Sequence, residues 1–418
     1  MAILGLALRS LFNRRATALL TLFAIALSTA LLLGVERLRV EARHSFAYTI
    51  SGTDLVVGAR SSPVQLLLYA VFRIGNPTNT LRWDSYRDIA RHPAVAWSVP
   101  LALGDSHRGF RVLGTTPEYF THYRYGRGRA LEFAAGAPFA DVFDAVLGAD
   151  VAQQLGYVLD QPLVISHGAG AVSFVQHDAL PFRVAGILRK TGTPVDRTVH
   201  VSLAGIEAVH LGWEGGAAPR NAPSAEAVRA MVLTPKTISA VLVGLDSRLA
   251  LFRVQREINE YAREPLTAAI PGVALQELWD MMAVAERALL AVSACVVGVG
   301  LLGMLTAILS GLNERRREIA ILRAVGARPW QVAALLMGEA LLLALLGAAA
   351  GVALLYAALW LGRPFIEGQW GLSLAIGPLV LREWALLAII VAAGALVGAL
   401  PAWRAYRHSL ADGLTVRL

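Results

Sequence analysis

The chain of 418 residues is strongly apolar and basic, with 56% hydrophobic residues, 16% charged residues and a formal net charge of +8. Its mean hydropathy of +0.54 excludes an ordinary soluble protein of this length. Much of the positive charge flanks apolar segments, so it does not indicate binding to nucleic acid. The single cysteine, Cys295, excludes an intramolecular disulfide.

Four apolar windows are long enough to cross a hydrocarbon layer about 30 Å thick, which takes roughly 20 helical residues. They lie at 16–34, 288–311, 332–361 and 384–401. The first window follows three arginines, as a signal peptide would. Its uncharged run exceeds the usual secretory core of about 7 to 15 residues, so we predict an uncleaved anchor.

The arginines predict the orientation of these spans. They outnumber acidic residues in three short segments, at 1–15, 313–328 and 402–418. The positive-inside rule places these segments, and therefore both termini, in the cytoplasm. Residues from about 36 to 285 and the turn around 363–383 then lie on the outer side.

The outer segment alternates between strand and helix patterns. Helices are predicted in "WDSYRDIARHPAV" and "SRLALFRVQREINEYA", a strand followed by a helix in "DAVLGADVAQQLGY", strands in "AVAWSVPLAL", "PLVISHG", "FRVAGILRK", "TVHVSL" and "ISAVLVGLD", and a loop at 212–227. At the two ends, helical stripes of apolar residues are predicted to pack together as a stalk; they are Val35, Leu38, Ala42 and Phe46 at one end and Leu275, Leu278, Met282, Ala285 and Leu289 at the other.

The predicted fold is an α-helical membrane protein with four transmembrane helices, one before and three after a large α/β extracytoplasmic domain on a helical stalk. The predicted domains are 1–34 (cytoplasmic N-terminus and first span), 35–285 (extracytoplasmic domain with its stalk helices) and 286–418 (three spans and a cytoplasmic C-terminus). Two GxxxG patterns, Gly347 with Gly351 and Gly394 with Gly398, predict close packing between these spans.

A charged segment, "NERRREIAILRAVGARPWQV" at 313–332, interrupts the apolar windows with five arginines. At about 2.5 to 3.5 kcal/mol for each arginine at mid-membrane, insertion would cost over roughly 12 kcal/mol, so the segment stays outside the membrane. A stripe of Ile319, Leu322 and Val325 predicts a short amphipathic helix, which Gly326 would end and after which Pro329 would begin the next helix. One interpretation of this helix is an anchor in the lipid head groups.

The string "ERRREIAILRAVGA" also resembles the cytoplasmic segment between the second and third spans of FtsX/MacB-type ABC transporter permeases (type VII, mechanotransmission). Four strings of the outer segment are similar to the MacB-type periplasmic core domain: "HPAVAWSVPLAL", "FRVLGTTPEYF", "VLGADVAQQLGYVLDQPLVIS" and "FRVAGILRKTGTPVDRTVHVSL". The end, "GALPAWRAYRHSLADGL", is similar to the family's closing PAxRA stretch but lacks its usual Leu-x-Pro at His408–Leu410. The resemblance covers most of the chain in order and spacing.

The resemblance implies that the segment at 313–326 is a coupling helix seated on a partner ATPase. The residues implied in that contact are Glu314, Arg315, Arg316, Arg317, Glu318, Ile319, Leu322 and Arg323. No GxxxxGK[ST] motif occurs, so we expect no cofactor in this chain, with ATP and Mg bound by a separate ATPase subunit. Further implied partners are a second permease copy, identical or related, and membrane lipid. The implied protein is a bacterial inner-membrane permease that exports or extracts a lipoprotein, a lipid or a hydrophobic compound.

Two other functions stay open in the sequence. As FtsX does, the chain could regulate a periplasmic enzyme across the membrane, and its outer partner would then be that enzyme rather than an adaptor or a lipoprotein. Metal transport would use the outer histidines, which are His44, His92, His107, His122, His167, His177, His200 and His210. They form no HxH or HxxxH pattern, so scattered surface histidines are favoured. No HExxH or GxSxG motif indicates catalysis.

The segment 55–81 contains an apolar run, Val64–Phe72, that is too short to span a membrane. One interpretation is a buried helix with Ser61 or Ser62 as its cap and Pro63 in its first turn. The alternative is an exposed element that contacts an apolar substrate or partner through Leu66, Leu67, Leu68 and Phe72.

Overall fold

The computed structural model describes residues 15–167, 180–212, 224–314, 321, 323–370 and 376–407. Its α-helices are α1 (Arg15–Thr49), α2 (Pro63–Ala70), α3 (Trp83–Ala90), α4 (Glu118–His122), α5 (Ala149–Leu155), α6 (Leu203–His210), α7 (Ala225–Arg229), α8 (Leu251–Asn259), α9 (Pro271–Glu314), α10 (Pro329–Trp370) and α11 (Leu381–Arg407). Short 3-10 helices cover Pro194–Arg197 and Arg248–Ala250. The strands are β1 (Leu55–Ala59), β2 (Leu81–Arg82), β3 (Val95–His107), β4 (Phe110–Thr115), β5 (Arg124–Tyr125), β6 (Arg129–Ala130), β7 (Phe133–Gly136), β8 (Asp144–Leu147), β9 (Pro162–Leu163), β10 (Ser166–His167), β11 (Phe182–Leu188), β12 (Thr198–Ser202), β13 (Thr237–Ile238), β14 (Ala240–Leu245) and β15 (Leu266–Ala269).

These elements form two compact units. The helical unit contains the chain up to Glu41, then Ala283–Pro364, and finally α11 with the residues just before it. The α/β unit contains Ala42–Met282 and the end of α10 from Phe365. Helices α1, α9 and α10 therefore each contribute residues to both units.

Within the described residues, four helices are long and apolar enough to cross a membrane: α1, α9 up to Leu312, α10 up to Arg363 and α11 up to Arg404. They contain the four predicted windows. At 1.5 Å per residue, the 35 residues of α1 extend over about 50 Å, well beyond a hydrocarbon layer of about 30 Å. The first span therefore continues as a helix beyond its apolar window, as predicted, and α9 likewise begins well before its own apolar window.

The interior of the helical unit is largely apolar, and some of its polar side chains are bonded within their own helix. Ile25, Met304 and Ala340 are each at most 1% exposed. The hydroxyl of Ser28 donates to the carbonyl of Ala24 at 2.8 Å, and that of Thr21 donates to the carbonyl of Thr17 at 2.8 Å. Such bonds within one helix satisfy a hydroxyl where water is absent.

A mixed sheet organises the α/β unit. Its main path runs β15-β1-β14-β3-β4-β12-β8-β11-β7, with β10 paired to β3 and β9 paired to β11. Most neighbours are antiparallel, whereas β12 lies parallel to β4 and β11 lies parallel to β8. The 13-residue strand β3 joins the two halves, because it pairs with β14 along its first part and with β4 along its second.

Helices cover this sheet because its strands carry apolar side chains on both faces. Strands β1 and β8 are buried along their whole length. Helix α8 places Val254 and Ile258 in one core cluster with β1, β14 and β15. Helix α2 belongs to a second cluster, and α5 and α6 contribute to a third. The α/β class and the strands and helices predicted in the outer segment are therefore confirmed.

Two predictions in this segment were partly wrong. The loop predicted at 212–227 overlaps the start of α7 at its last three residues, because Ser224 caps this helix by accepting from the backbone N–H of Ala227 at 3.2 Å; residues 213–223 of the predicted loop lie outside the described residues. The predicted stalk stripes of α1 and α9 do meet, because Phe46, Leu275 and Leu278 pack in one core cluster. Trp279, which lies outside the predicted stripes, joins them with its ring centroid 5.5 Å from that of Phe46. One member of each stripe, Leu38 and Met282, is 50% and 40% exposed, respectively.

Candidate functional site

Most residues of the predicted coupling segment lie outside the described residues. These are Arg315, Arg316, Arg317, Glu318, Ile319 and Leu322. Glu314 is the last residue of α9, and Arg323 lies half-buried in the turn that precedes α10. The predicted contact of these eight residues with an ATPase therefore stays a prediction.

The described part of this segment forms a helical turn that ends where the sequence predicts. The N–H of Val325 donates to the carbonyl of Ile321 at 3.0 Å, and the N–H of Gly326 donates to that of Arg323 at 3.1 Å. Gly326 has a φ of +105°, which favours glycine because it has no Cβ. The chain thus leaves the helix at Gly326.

Helix α10 then begins at Pro329, as predicted. Proline suits this position because the first helical N–H has no partner within the helix. Three residues after Arg328, the side chain of Gln331 accepts from the backbone N–H of Arg328 at 2.8 Å. This is half of a capping box, and it fixes the direction in which the charged segment joins α10.

The turn exposes large apolar side chains next to arginine. Ile321 is 62% exposed, Val325 84% and Trp330 53%. Arg328 is exposed beside them. Single exposed apolar residues are common, but three between positions 321 and 330, close in sequence to a charged segment, offer apolar surface that a partner can cover. We call Ile321, Val325, Arg328 and Trp330 the loop patch.

A small cavity of about 30 Å³ lies inside the helical unit next to the last turns of α9. Its lining includes Thr17 and Thr21 of α1, Gly311 of α9 and Glu339 of α10. Glu339 is 6% exposed and has an interaction partner. A carboxylate enclosed in an apolar bundle is costly, so Glu339 is an unusual polar residue in a cavity that is otherwise lined mainly by apolar side chains.

The four glycines of the GxxxG patterns lie at close contacts between helices. A Cβ built on Gly347 would lie 2.6 Å from Ile25, and one on Gly351 would lie 2.7 Å from the carbonyl oxygen of Ala26 in α1. On α11, a Cβ on Gly394 would lie 2.6 Å from the Cβ of Ala344 and one on Gly398 would lie 2.3 Å from that of Ala340. Helix α10 therefore approaches α1 through its own glycines and approaches α11 through those of α11.

The apolar run Val64–Phe72 is a core element, so the predicted contact surface of Leu66, Leu67, Leu68 and Phe72 is wrong. Leu66 is 0% exposed, Leu67 1% and Phe72 6%, and Leu68 is half-buried. The run forms α2, with Ser62 as its cap and Pro63 in its first turn. It packs so closely on β1 that a Cβ at Gly58 would lie 2.6 Å from Leu66. The sequence motif fits both interpretations, and only burial separates them.

Several histidines of the α/β unit have structural partners, and not all of them lie at the surface as expected. His107 is 3% exposed and His200 0%. The Nδ1 of His107 lies 2.6 Å from the carbonyl of Val164. His92 pairs with Glu257 at 2.8 Å and His210 with Asp105 at 3.5 Å. Within the described part of the chain, no three His, Cys, Asp or Glu residues come together as metal ligands would.

Two family profiles match the sequence over separate parts of the chain. The profile of the MacB-like periplasmic core domain matches residues 18–261, and the profile of the FtsX-like permease C-terminal domain matches residues 290–410. The first match alone covers more than half of the chain.

Two relatives are similar to this chain in sequence. The chain is 38% identical over 127 residues to the macrolide export ATP-binding/permease protein MacB of Chromobacterium violaceum, covering 30% of this chain and 19% of that protein. It is 25% identical over 418 residues to the macrolide export ATP-binding/permease protein MacB 1/2 of Paracoccus denitrificans, covering 96% of this chain and 56% of that protein. The chain thus spans about half the length of the second relative.

Two solved structures are similar to parts of the chain. The periplasmic region of MacB from Actinobacillus actinomycetemcomitans matches with 10% identity over 55% of this chain and 94% of that chain, at a TM-score of 0.34. The extracellular domain of the noncanonic ABC-type transporter YknZ from Gram-positive bacteria matches with 14% identity over 52% of this chain and 98% of that chain, at a TM-score of 0.30. Because the profile of the MacB-like periplasmic core domain matches more than half of the chain and the FtsX-like profile matches its C-terminal part, the chain belongs to the FtsX/MacB-type family of ABC transporter permeases.

Proposed function

We propose that this permease couples ATP hydrolysis by a separate ATPase subunit to movement of its α/β unit, which drives the export or extraction of a hydrophobic compound, a lipid or a lipoprotein. The observation that carries the proposal is the loop patch between α9 and α10. In the sequence, its exposed apolar groups, Ile321 and Val325, follow the run of arginines at 315–317. Apolar groups would supply burial in such a contact, and charges would orient it.

The arginine distribution supports the orientation that this function needs. With the segment at 313–328 in the cytoplasm, the loop patch faces the compartment that contains ATP, and the α/β unit stands in the periplasm. The chain would then act in the inner membrane, with both termini in the cytoplasm. Mechanical coupling of this kind requires no continuous pore through the helical unit.

The relatives support the general class of cargo. Both are named as macrolide export ATP-binding/permease proteins. A macrolide is one hydrophobic compound within the proposed range, and we extend only this chemical class to the present chain. A second copy of the permease would complete the transporter.

The experiment is copurification of the ATPase with the full-length chain from native membranes. Ile321→Asp combined with Val325→Asp places charge where the contact would bury apolar groups. Burying one such side chain contributes about 1.5 to 3 kcal/mol, so ATPase binding should fall by about tenfold or more.

The matched control is Leu249→Asp in the α/β unit, where the side chain is 96% exposed. It should leave ATPase binding unchanged. Full ATPase binding by the double variant, with a normal unfolding temperature, would refute this role of the loop patch. Recovery of a periplasmic hydrolase in place of transport activity would instead favour the regulatory function.

A further inference from the structure

Six charged side chains meet where α1, α9 and α11 come together in the helical unit. They are Glu36, Arg37 and Arg39 of α1, Glu286 of α9, and Arg382 and Glu383 of α11. We call them the ion-pair junction. Three arginines face three glutamates, so the group is electrically balanced and lacks the excess charge that would attract a free anion.

Arg37 forms the most enclosed half of the junction. It is 7% exposed, and its Nε lies 3.3 Å from Oε1 of Glu383, which is 1% exposed. Its Nη2 donates to the carbonyls of Gly377 and Pro378 at 2.8 and 3.0 Å. Its guanidinium lies 5.1 Å from the ring centroid of Tyr356, whose hydroxyl donates to the same Gly377 carbonyl at 2.8 Å. One side chain of α1 thereby contacts α10, the start of α11 and the residues that precede it.

Glu383 also caps the N-terminus of α11. Its Oε2 accepts from the backbone N–H of Val380 at 2.9 Å, as the glutamate of a capping box does. A carboxylate in the first turn also stabilises the helix by facing its positive end. The ion pair with Arg37 is therefore attached to a fixed helix terminus.

Glu36 and Arg39 form the second, shared half. Glu36 is 1% exposed and accepts from Nη2 of Arg39 at 2.8 Å and from Nε of Arg382 at 2.9 Å. Arg39 also lies 3.5 Å from Glu286 of α9. Each of Glu36 and Arg39 thus has two partners, on different helices, and this half joins α1 to both α9 and α11.

The energetics indicate that the junction fixes position more than it adds stability. A buried ion pair can often be replaced by apolar residues of similar volume without loss of stability, whereas its charges accept few other arrangements. Removing only one partner is costly, because it leaves a buried charge uncompensated. The junction therefore defines one relative placement of the three helices α1, α9 and α11.

The ion-pair junction lies close in the chain to the boundaries between the helical unit and the α/β unit. Helices α1 and α9 continue from the helical unit into the α/β unit, with the boundaries at Glu41/Ala42 and Met282/Ala283, and α10 does so at Pro364/Phe365. Residues 36–39 and Glu286 lie within about two helical turns of the boundaries in α1 and α9.

We propose that the ion-pair junction is the fixed point that holds α1 and α9 against the start of α11, so that ATP-driven movement of the helical unit is passed along these two helices to the α/β unit. Arg37 and Glu383 are then positioning residues, which act by holding α1 and α11 in place while movement is transmitted. This inference rests on the proposed function, because it names the place where motion is transmitted.

The test uses the full-length permease with its ATPase in lipid nanodiscs, in a Cys295→Ser background. Spin labels at Val232→Cys in the α/β unit and Leu361→Cys in the helical unit, which are 95% and 70% exposed, report the distance between the units. The distances with ADP and with vanadate-trapped nucleotide are compared, and ATP hydrolysis is measured on the same samples.

Arg37→Met with Glu383→Gln removes both charges and keeps an acceptor for the Val380 N–H. We expect ATP hydrolysis and the unfolding temperature to be retained while the nucleotide-dependent distance change falls to below about half. Arg37→Lys in the presence of native Glu383 keeps a positive charge at position 37 and should retain most of the nucleotide-dependent distance change. Arg287→Met, an exposed arginine of α9, is the matched control and should behave as wild type.

A wild-type distance change in the double variant overturns the proposal. If that variant fails to assemble, Arg39→Gln is used instead, because it removes only the ion pairs of Arg39 with Glu36 and Glu286. A reduced distance change in this variant supports the proposal, and a wild-type distance change overturns it. A wild-type complex with no distance change would instead refute the proposed function itself, so the two failures are distinguishable.

Discussion

Exchanging one methyl group between two helices tests the packing of the helical unit. In Gly398→Ala the new Cβ would lie 2.3 Å from the Cβ of Ala340, and the next atom, the Cα of Ala340, lies 3.8 Å away. The clash is therefore with a single methyl group. Overpacking of this kind costs about 1 to 3 kcal/mol.

Ala340→Gly removes that methyl group and by itself should cost about 1 kcal/mol through lost helix propensity. If the two sites were independent, the double variant would lose about 2 to 4 kcal/mol. The exchange keeps one glycine and one alanine at the contact, so we expect the double variant to lie near wild type. The coupling energy should thus be about 2 to 4 kcal/mol.

The assay is denaturant unfolding of the purified full-length chain in mixed micelles, for wild type, both single variants and the double variant. Gly338→Ala on α10 is the matched control, because a Cβ there would meet no described atom within 4 Å, and it should be neutral or slightly stabilising. A coupling energy near zero would refute the close approach of α10 and α11.

Two further predictions concern the α/β unit. Leu67→Ala should lower the free energy of unfolding by about 2 to 5 kcal/mol, because this side chain is 1% exposed; Gln65→Ala on the exposed side of α2 should change it little, and equal thermal midpoints for the two variants would contradict the burial of α2. Burial, reinforced by the charge of Arg73, lowers the pKa of His200 to about 3. As the pH falls below about 6.5, the unfolded chain binds a proton that the folded His200 does not, so stability should fall by up to about 1.4 kcal/mol per pH unit until the pH nears the folded pKa. His200→Gln should weaken this slope in thermal unfolding between pH 7 and pH 5, and an unchanged slope would contradict the assignment.

The large features of the fold could be predicted from local sequence. The four spans follow from apolar length, and strands such as β3, β11 and β14 follow from short apolar runs between turn residues. The end of the helix at Gly326 and the start of α10 at Pro329 follow from backbone restrictions of single residues. In each case the cause lies within a few residues of its effect.

The features that the sequence did not predict depend on contacts between distant residues. The apolar run of α2 is typical of a core helix and of an exposed contact, and only the approach of β1 at Gly58 separates the two. The ion-pair junction joins residues 36–39 to residues near 286 and 383. No local pattern pairs charges over such separations, so these glutamates and arginines looked like ordinary residues beside a span.

The central claim is that nucleotide in a partner ATPase moves the α/β unit. The most direct measurement is the distance between the labels at residues 232 and 361 in the wild-type permease–ATPase complex, with ADP and with vanadate-trapped nucleotide. We expect two different distance distributions that interconvert with the nucleotide state. Identical distributions in a complex that hydrolyses ATP would show that nucleotide does not move the α/β unit.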